Sequence, residues 1–114
     1  MDLGCVKKRG RSIDLKTFFD SIFISGSVAD EEAEYPMKLE YYKTIENKEN
    51  VEVKYGIEVV KTEFINGKVN VESELLNNIT NNQEEIEKIL TLFKNNLVTP
   101  FGIQDILDEV LMQL

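Results

Sequence analysis

The dipeptide Asn66-Gly67 lies between two stretches in which apolar and polar residues alternate. Asn and Gly both tolerate a positive φ, which the two central positions of a tight hairpin turn require. Residues 51–59 alternate before the dipeptide, and the strand is predicted to continue to Ile65 with a bulge, because Val59-Val60 and Phe64-Ile65 break the alternation. Residues 68–75 alternate after the dipeptide. The pattern therefore predicts a β-hairpin, and with it an antiparallel sheet.

A third strand is predicted ahead of this hairpin. From Tyr35 to Ile45 the apolar side chains recur at every second residue, and the turn-forming residues 47–50 follow. Tyr42 falls out of phase and is predicted to point away from the core. The three strands together predict an antiparallel meander with one apolar face.

Two helices are predicted after the sheet. Asn82 is the expected N-cap of the first, with Glu85 at the third helical position as in a capping box. Thr99-Pro100 has the composition of a second helix start. Three strands alone would leave their apolar face in water, so we expect both helices to cover it. Their apolar stripes are Ile86, Ile89, Leu90, Phe93 and Leu97, and then Ile103, Ile106, Leu107, Val110, Leu111 and Leu114.

The N-terminal segment has a helical period. Leu15, Phe18, Phe19, Ile22 and Phe23 follow i, i+3, i+4 spacing, which predicts an amphipathic helix. The chain is thus predicted to divide into residues 1–34, with a basic tail, this helix and an acidic connector, and an α+β domain over residues 35–114. The expected fold class is α+β: an N-terminal helix, a three-stranded antiparallel β-meander and two C-terminal helices packed on one face of the sheet.

Charge and composition exclude several classes of function. The 114 residues carry 13 Lys and Arg against 21 Asp and Glu, a net charge of −8, which argues against direct binding to nucleic acid or to anionic membranes. There is no His, so imidazole catalysis and His-ligated zinc are excluded. Cys5 is the one cysteine and permits no internal disulfide. We expect a cytoplasmic protein without a signal peptide or a membrane span.

Carboxylates offer the strongest candidate chemistry. Asp105, Asp108 and Glu109 share one surface of the last predicted helix, where a solvated face is the simpler interpretation. An enzyme with a carboxylate-based site would need a concave pocket that joins Asp105 or Asp108 to Glu residues of the sheet. The basic residues 7–11 are interpreted as a solubilising end. We therefore expect no enzyme, and no catalytic, cofactor-binding or metal-binding residues.

The Phe-rich N-terminal stripe is the best candidate for a partner. Phe18, Phe19, Ile22 and Phe23 form an apolar surplus that one small domain does not fully bury. The hypothesis is a small cytoplasmic protein-interaction or regulatory module without catalysis. Its partner would be another protein, or a second copy of the chain through the N-terminal helix. The alternative is an acidic inhibitor that mimics nucleic acid and binds a DNA- or RNA-binding protein.

Residues from about 53 to 110 resemble a family of small uncharacterised proteins from clostridia and related low-GC bacteria. The resemblance rests on Tyr55-Gly56-Ile57, on Gly67-Lys68-Val69, and on the step Val98-Thr99-Pro100 before the acidic helix residues 106–110. The family is grouped as a domain of unknown function. Its motifs are turns and caps, so the resemblance implies no catalytic residue.

Overall fold

Four strands and two helices follow one another along the chain. The structure, a computed structural model, describes residues 15–25, 35–47 and 53–113. The elements are β1 (Leu15–Ile24), β2 (Met37–Glu46), β3 (Lys54–Ile65), β4 (Lys68–Thr80), α1 (Gln83–Asn95) and α2 (Ile103–Gln113). The α+β class and the two C-terminal helices are confirmed.

The strands form a single antiparallel sheet in the order β1-β2-β3-β4. The sheet therefore has four strands and not the predicted three. Asn66 and Gly67 have φ values of 51° and 80° and connect β3 to β4, with Ile65 paired to Lys68. Positive φ at both central positions is the geometry of a type I′ turn, so the predicted hairpin is confirmed.

The predicted N-terminal helix is wrong, because Leu15–Ile24 is a strand paired antiparallel to β2. Thr, Phe and Ile supply six of the ten residues of this segment, and such side chains favour a pleated surface. Pairing with β2 also gives this segment backbone hydrogen bonds along its length. An isolated helix of this length would be only marginally stable in water.

A bulge in β1 explains why the strand has a helix-like spacing. The register passes from Phe18 opposite Tyr42 to Asp20 opposite Tyr41, so Phe19 is an extra residue in β1. An extra residue shifts the alternation of side chains by one position. Phe19 therefore packs against the core on the helix side, whereas Phe18 and Phe23 lie on the other side of the sheet.

Both helices lie on one face of the sheet and bury its apolar side chains. The hydroxyl of Tyr41 donates a hydrogen bond of 2.8 Å to the carbonyl oxygen of Val98, which joins the centre of β2 to the segment between the helices. Burial of this phenol raises its pKa to about 12. The core consists of Leu39, Tyr41, Ile57, Val59, Leu76, Ile86, Ile89, Leu90, Phe93, Val98, Ile103 and Leu107.

The cap of α1 is close to the predicted one. The Asn82 side chain accepts a 2.9 Å hydrogen bond from the Glu85 backbone N–H, as predicted. The Glu85 carboxylate does not return to Asn82; it accepts a 2.6 Å hydrogen bond from the Thr80 hydroxyl. The Thr80 hydroxyl in turn accepts a 3.1 Å hydrogen bond from the Asn82 backbone N–H. Thr80 therefore makes the hydrogen bond to Asn82 that was predicted for the Glu85 carboxylate.

Several predictions concern residues outside the described ranges. They include Cys5, the basic residues 7–11 and the acidic connector 30–34. The division of the chain at residue 34 stays a prediction. Within the described ranges, no helix is long and apolar enough to cross a membrane.

The orientation of β1 predicts different stability effects at two adjacent phenylalanines. Replacing Phe19 with Ala should lower the free energy of unfolding by about 2 kcal/mol, because Phe19 packs against the core. Replacing Phe18, which is 54% exposed, should lower it by less than about 1 kcal/mol. Urea denaturation of both variants measures the difference. Equal losses would contradict the bulged strand.

Candidate interaction surface

The helices leave the second face of the sheet uncovered within the described part of the chain. Directly paired residues share a face, so the register identifies which side chains lie opposite to the buried Leu39, Tyr41, Ile57 and Val59. We call this surface the open face. It consists of Lys16, Phe18, Ser21, Phe23, Lys38, Glu40, Tyr42, Thr44, Glu46, Lys54, Gly56, Glu58, Val60, Thr62, Phe64, Val69, Val71, Ser73 and Leu75.

Large apolar side chains on the open face are exposed to solvent. The exposed fractions are 54% for Phe18, 62% for Phe23, 40% for Phe64, 62% for Val69 and 57% for Val71. The rings of Phe23 and Phe64 lie 6.5 Å apart and connect β1 to β3 across the face. Scattered apolar residues are normal on a surface, whereas five that share one face make this surface the candidate for an interaction.

The charged side chains of the open face neutralise one another. Lys16 pairs with Glu58 at 3.0 Å, and Lys38 approaches Glu40 at 3.6 Å. Glu46 and Lys54, which are directly paired, add one charge of each sign. The three cations and three anions sum to zero, so the open face contributes nothing to the net charge of −8. The open face is therefore a neutral, apolar surface on an acidic protein.

Tyr42 lies on the open face, as its predicted orientation away from the core implied, and it contacts three neighbouring side chains there. Its ring meets Phe18 edge-on at 5.8 Å, and the Lys16 ammonium lies 4.6 Å from its centroid. Its hydroxyl donates a 3.3 Å hydrogen bond to Glu40. Partial desolvation, followed by the negative charge of Glu40, raises the pKa of the Tyr42 phenol.

The four residues predicted to bind a partner are divided between the two faces. Phe18 and Phe23 lie on the open face. Phe19 packs against the core, and Ile22 lies opposite the buried Leu39, so both belong to the helix side. The role of these residues in partner binding stays a prediction.

Phe64, Val69 and Val71 also lie on this surface, which the sequence pattern did not predict. Alternation in β4 predicts a core-facing stripe, but the two-residue turn sets a register with Ile65 opposite Lys68 and Phe64 opposite Val69, which places Val69 and Val71 on the same face as Phe64. The same unbroken register puts Leu76 opposite the buried Ile57, and Leu76 is buried. Beyond Leu76, residues 77–79 face the single residue Gly56 in a bulge. The run of Asn77 and Asn78 is the sequence signal of such an irregularity.

Carboxylates lie at grooves on the helix side. A groove of about 440 Å³ between β4 and α2 is lined by Glu74 and Asp108. A second, of about 280 Å³, is lined by Glu74 and Asp105. Glu109 lines a third groove, of about 330 Å³, between the two helices. All four carboxylates are exposed, and the Asp108 carboxylate accepts a 3.2 Å hydrogen bond from Gln104 of the same helix.

These grooves have the outline that the carboxylate alternative requires, since each of the first two joins a helix Asp to a Glu of the sheet. No group of three His, Cys, Asp or Glu side chains able to hold a metal ion occurs among residues 15–25, 35–47 and 53–113.

Comparison with known proteins gives one match. Residues 21–113 match the family described as "Family of unknown function (DUF6514)". Neither the curated proteins nor the solved structures contain a match. The matched range begins within β1 and includes the rest of the sheet and both helices.

The charge network of the open face predicts how Tyr42 titrates. In a Glu40→Gln variant the pKa of Tyr42 should fall towards the ordinary value of 10.0, because the carboxylate no longer opposes the phenolate. It should not return fully, since desolvation persists. Absorbance or NMR titration measures the shift. A Glu87→Gln variant, altered on α1, is the control and should leave the pKa of Tyr42 unchanged; an equal shift in both variants would contradict the assignment.

Proposed function

Because the chain belongs to the family of unknown function DUF6514, we propose its function from its own surface: it is a non-catalytic interaction module that binds a partner protein through the open face. The observation that carries the proposal is the set of five exposed apolar side chains on the face that the helices leave uncovered. Phe18 and Phe23 are retained from the residues predicted for partner binding, and Phe64, Val69 and Val71 join them.

The composition of the open face supports a protein as the ligand. Its aromatic side chains present large areas with few rotatable bonds, which is how binding hot spots are commonly built. Its ion pairs, Lys16 with Glu58 and Lys38 with Glu40, leave no net charge to attract an ionic small molecule. A flat sheet surface also suits a helix or a second sheet better than a compact ligand.

Charge outside the open face narrows the chemistry of the partner. The face is neutral, so the net charge of −8 lies on the rest of the chain. A partner that covers the face therefore approaches a protein of net negative charge. We infer that its contact surface is apolar at the centre and basic at the edge, which speeds association and selects against acidic competitors.

We assign this module a regulatory role in the cytoplasm of a clostridial or related low-GC bacterium. A single cysteine without a possible internal partner supports a reducing compartment. The resemblance over residues 53–110 supports the bacterial source. The absence of His and the exposed position of the candidate carboxylates support a role without catalysis.

The two other hypotheses depend on residues outside the open face. A nucleic-acid mimic would bind its target through acidic side chains, so neutralising Glu72, Glu74, Asp105 and Asp108 would release the target. An enzyme with a carboxylate-based site would use the groove of Glu74 and Asp108. Neither hypothesis requires Phe18 or Phe23, so variants of the open face separate them from our proposal.

The proposal predicts that partner binding depends on the open face. In a variant with Phe18→Ser, Phe23→Ser and Phe64→Ser, the affinity for the partner should fall by at least about 100-fold, because aromatic anchors at the centre of an interface each contribute about 2 kcal/mol or more. The partner is first identified by affinity capture from the native host, and its affinity is then measured with purified proteins by calorimetry.

The control carries three equivalent substitutions on the helix layer. Leu97, Phe101 and Met112 are 45%, 87% and 86% exposed and lie outside the open face. Their replacement by Ser should change the affinity by less than about threefold. Thermal unfolding verifies that both variants remain folded. Undiminished binding by the open-face variant, or an equal loss in the control, would refute the proposal.

A further inference from the structure

The free edge of β4 is a second surface with a distinct chemistry. β4 is the last strand of the sheet, and its residues 68–74 are all exposed. No described element covers this segment. It is bounded by the turn at Asn66-Gly67 on one side and by the bulge at residues 77–79 on the other, where Asn78 has a φ of 55°. Residues 68–74 are thus one regular stretch of edge strand.

The turn geometry fixes which backbone groups of this stretch point outward. Ile65 and Lys68 close a two-residue turn, so the backbone N–H and C=O of Lys68 point towards β3. These directions alternate along an antiparallel strand. The N–H and C=O groups of Val69, Val71 and Ser73 therefore point away from the sheet and offer a row of hydrogen-bonding groups to another strand.

We propose that residues 68–74 pair antiparallel with the same residues of a second copy, about a two-fold axis at Val71, and join two sheets into one of eight strands. Residue 71 is the midpoint of the stretch, so this register gives the greatest overlap. Val71 then pairs with Val71 of the other copy, and Val69 pairs with Ser73. Each of these residues has its backbone groups turned to the new strand, so every one of these pairs is hydrogen-bonded.

The charges of the edge are complementary in this register. Lys68 of each copy lies opposite Glu74 of the other, and Asn70 lies opposite Glu72. Neither Lys68 nor Glu74 has an ion-pair partner among the described residues. Glu74 also lines the groove that contains Asp105, so the incoming ammonium meets an acidic surface. Non-hydrogen-bonded pairs bring side chains closest, and both Lys68–Glu74 pairs are of that kind.

The neighbouring registers overlap less. An axis at Asn70 would pair only residues 68–72 and place the turn opposite Ser73 and Glu74. An axis at Glu72 would pair only residues 70–74 and place Glu72 opposite Glu72 of the other copy. Charges on an edge strand usually prevent pairing with another copy. In β4 their order, with Lys68 at one end and Glu74 at the other, instead matches the register of greatest overlap.

This interface leaves the open face uncovered and is independent of the proposed function. The side chains of Val71 from the two copies meet on the open face, with Val69 beside them. The apolar surfaces of two copies thus become continuous. A dimer would present two equivalent binding surfaces on one sheet.

Sedimentation velocity over a concentration series tests the interface, with the full chain. The wild type should approach twice its mass of 13.1 kDa as the concentration rises. Lys68→Glu, or Glu74→Lys alone, should weaken dimerisation by about tenfold or more, because the two-fold axis places each like-charge contact in the interface twice. The double variant with both changes should recover wild-type dimerisation. Lys88→Glu on α1 has the same change of charge away from the edge and should have no effect.

Val71→Pro tests the backbone hydrogen bonds. Proline removes the outward N–H of residue 71, which no bond to β3 uses, and edge strands tolerate it at such positions. The dimer should be lost while circular dichroism stays that of the wild type. If Val71→Pro fails to fold, the single and double variants of Lys68 and Glu74 test the interface on their own. A monomer at every concentration, a dimer indifferent to Lys68→Glu, or a double variant without recovery would overturn the proposal.

Discussion

One-sided burial of the sheet is the constraint on which the rest of this structure depends. Side chains of β2 and β3 meet the apolar stripe of α1, and the largest of them, including Tyr41 and Phe93, are fully buried. Burying a side chain of this kind stabilises the fold by about 1.5–3 kcal/mol. Both helices pack on this one face of the sheet. The chain has no further described element to cover the other face, so the apolar residues there are exposed.

A bulge in β1 and the two-residue turn before β4 decide which apolar residues reach which face. In β1 the extra residue Phe19 lets neighbouring phenylalanines point in opposite directions, one into the core and one to the open face. In β4 the register set by the turn at Asn66-Gly67 puts Leu76 opposite the buried Ile57 and places Val69 and Val71 on the open face. A second bulge follows at residues 77–79. Each bulge also interrupts an edge strand. β1 keeps little regular edge as a result, whereas β4 keeps the stretch 68–74.

The local features of the fold could be predicted from the sequence, because each has a local cause. Asn66-Gly67 demands positive φ, Asn82 caps a helix, and the apolar stripe of α1 repeats every three or four residues. β1 could not be predicted this way, because a bulged strand that serves both faces has nearly the spacing of a helix. Its state depends on pairing with β2, which joins residues as distant in the chain as Leu15 and Ile45. Strand pairing of that kind overrides local periodicity.

The candidate site could be predicted in part for the same reason. Phe18 and Phe23 stand out by their size and by the number of phenylalanines around them, which the sequence shows directly. The positions of Val69 and Val71 could not be predicted, because alternation shows that two faces differ but not which one is covered. The net charge of −8 also has a more specific meaning once the faces are known, since the open face is neutral and the whole net charge lies on the rest of the chain.

Solvent paramagnetic relaxation of side-chain protons tests the one-sided burial most directly. With a neutral, soluble gadolinium complex in the solvent, the methyl groups of Val69 and Val71 and the ring of Phe23 should relax strongly. The methyl groups of Val59 and Leu39, which lie on the same sheet but face the helices, should be protected. Equal protection of both sets would show that the open face is covered, and would contradict one-sided burial of the sheet.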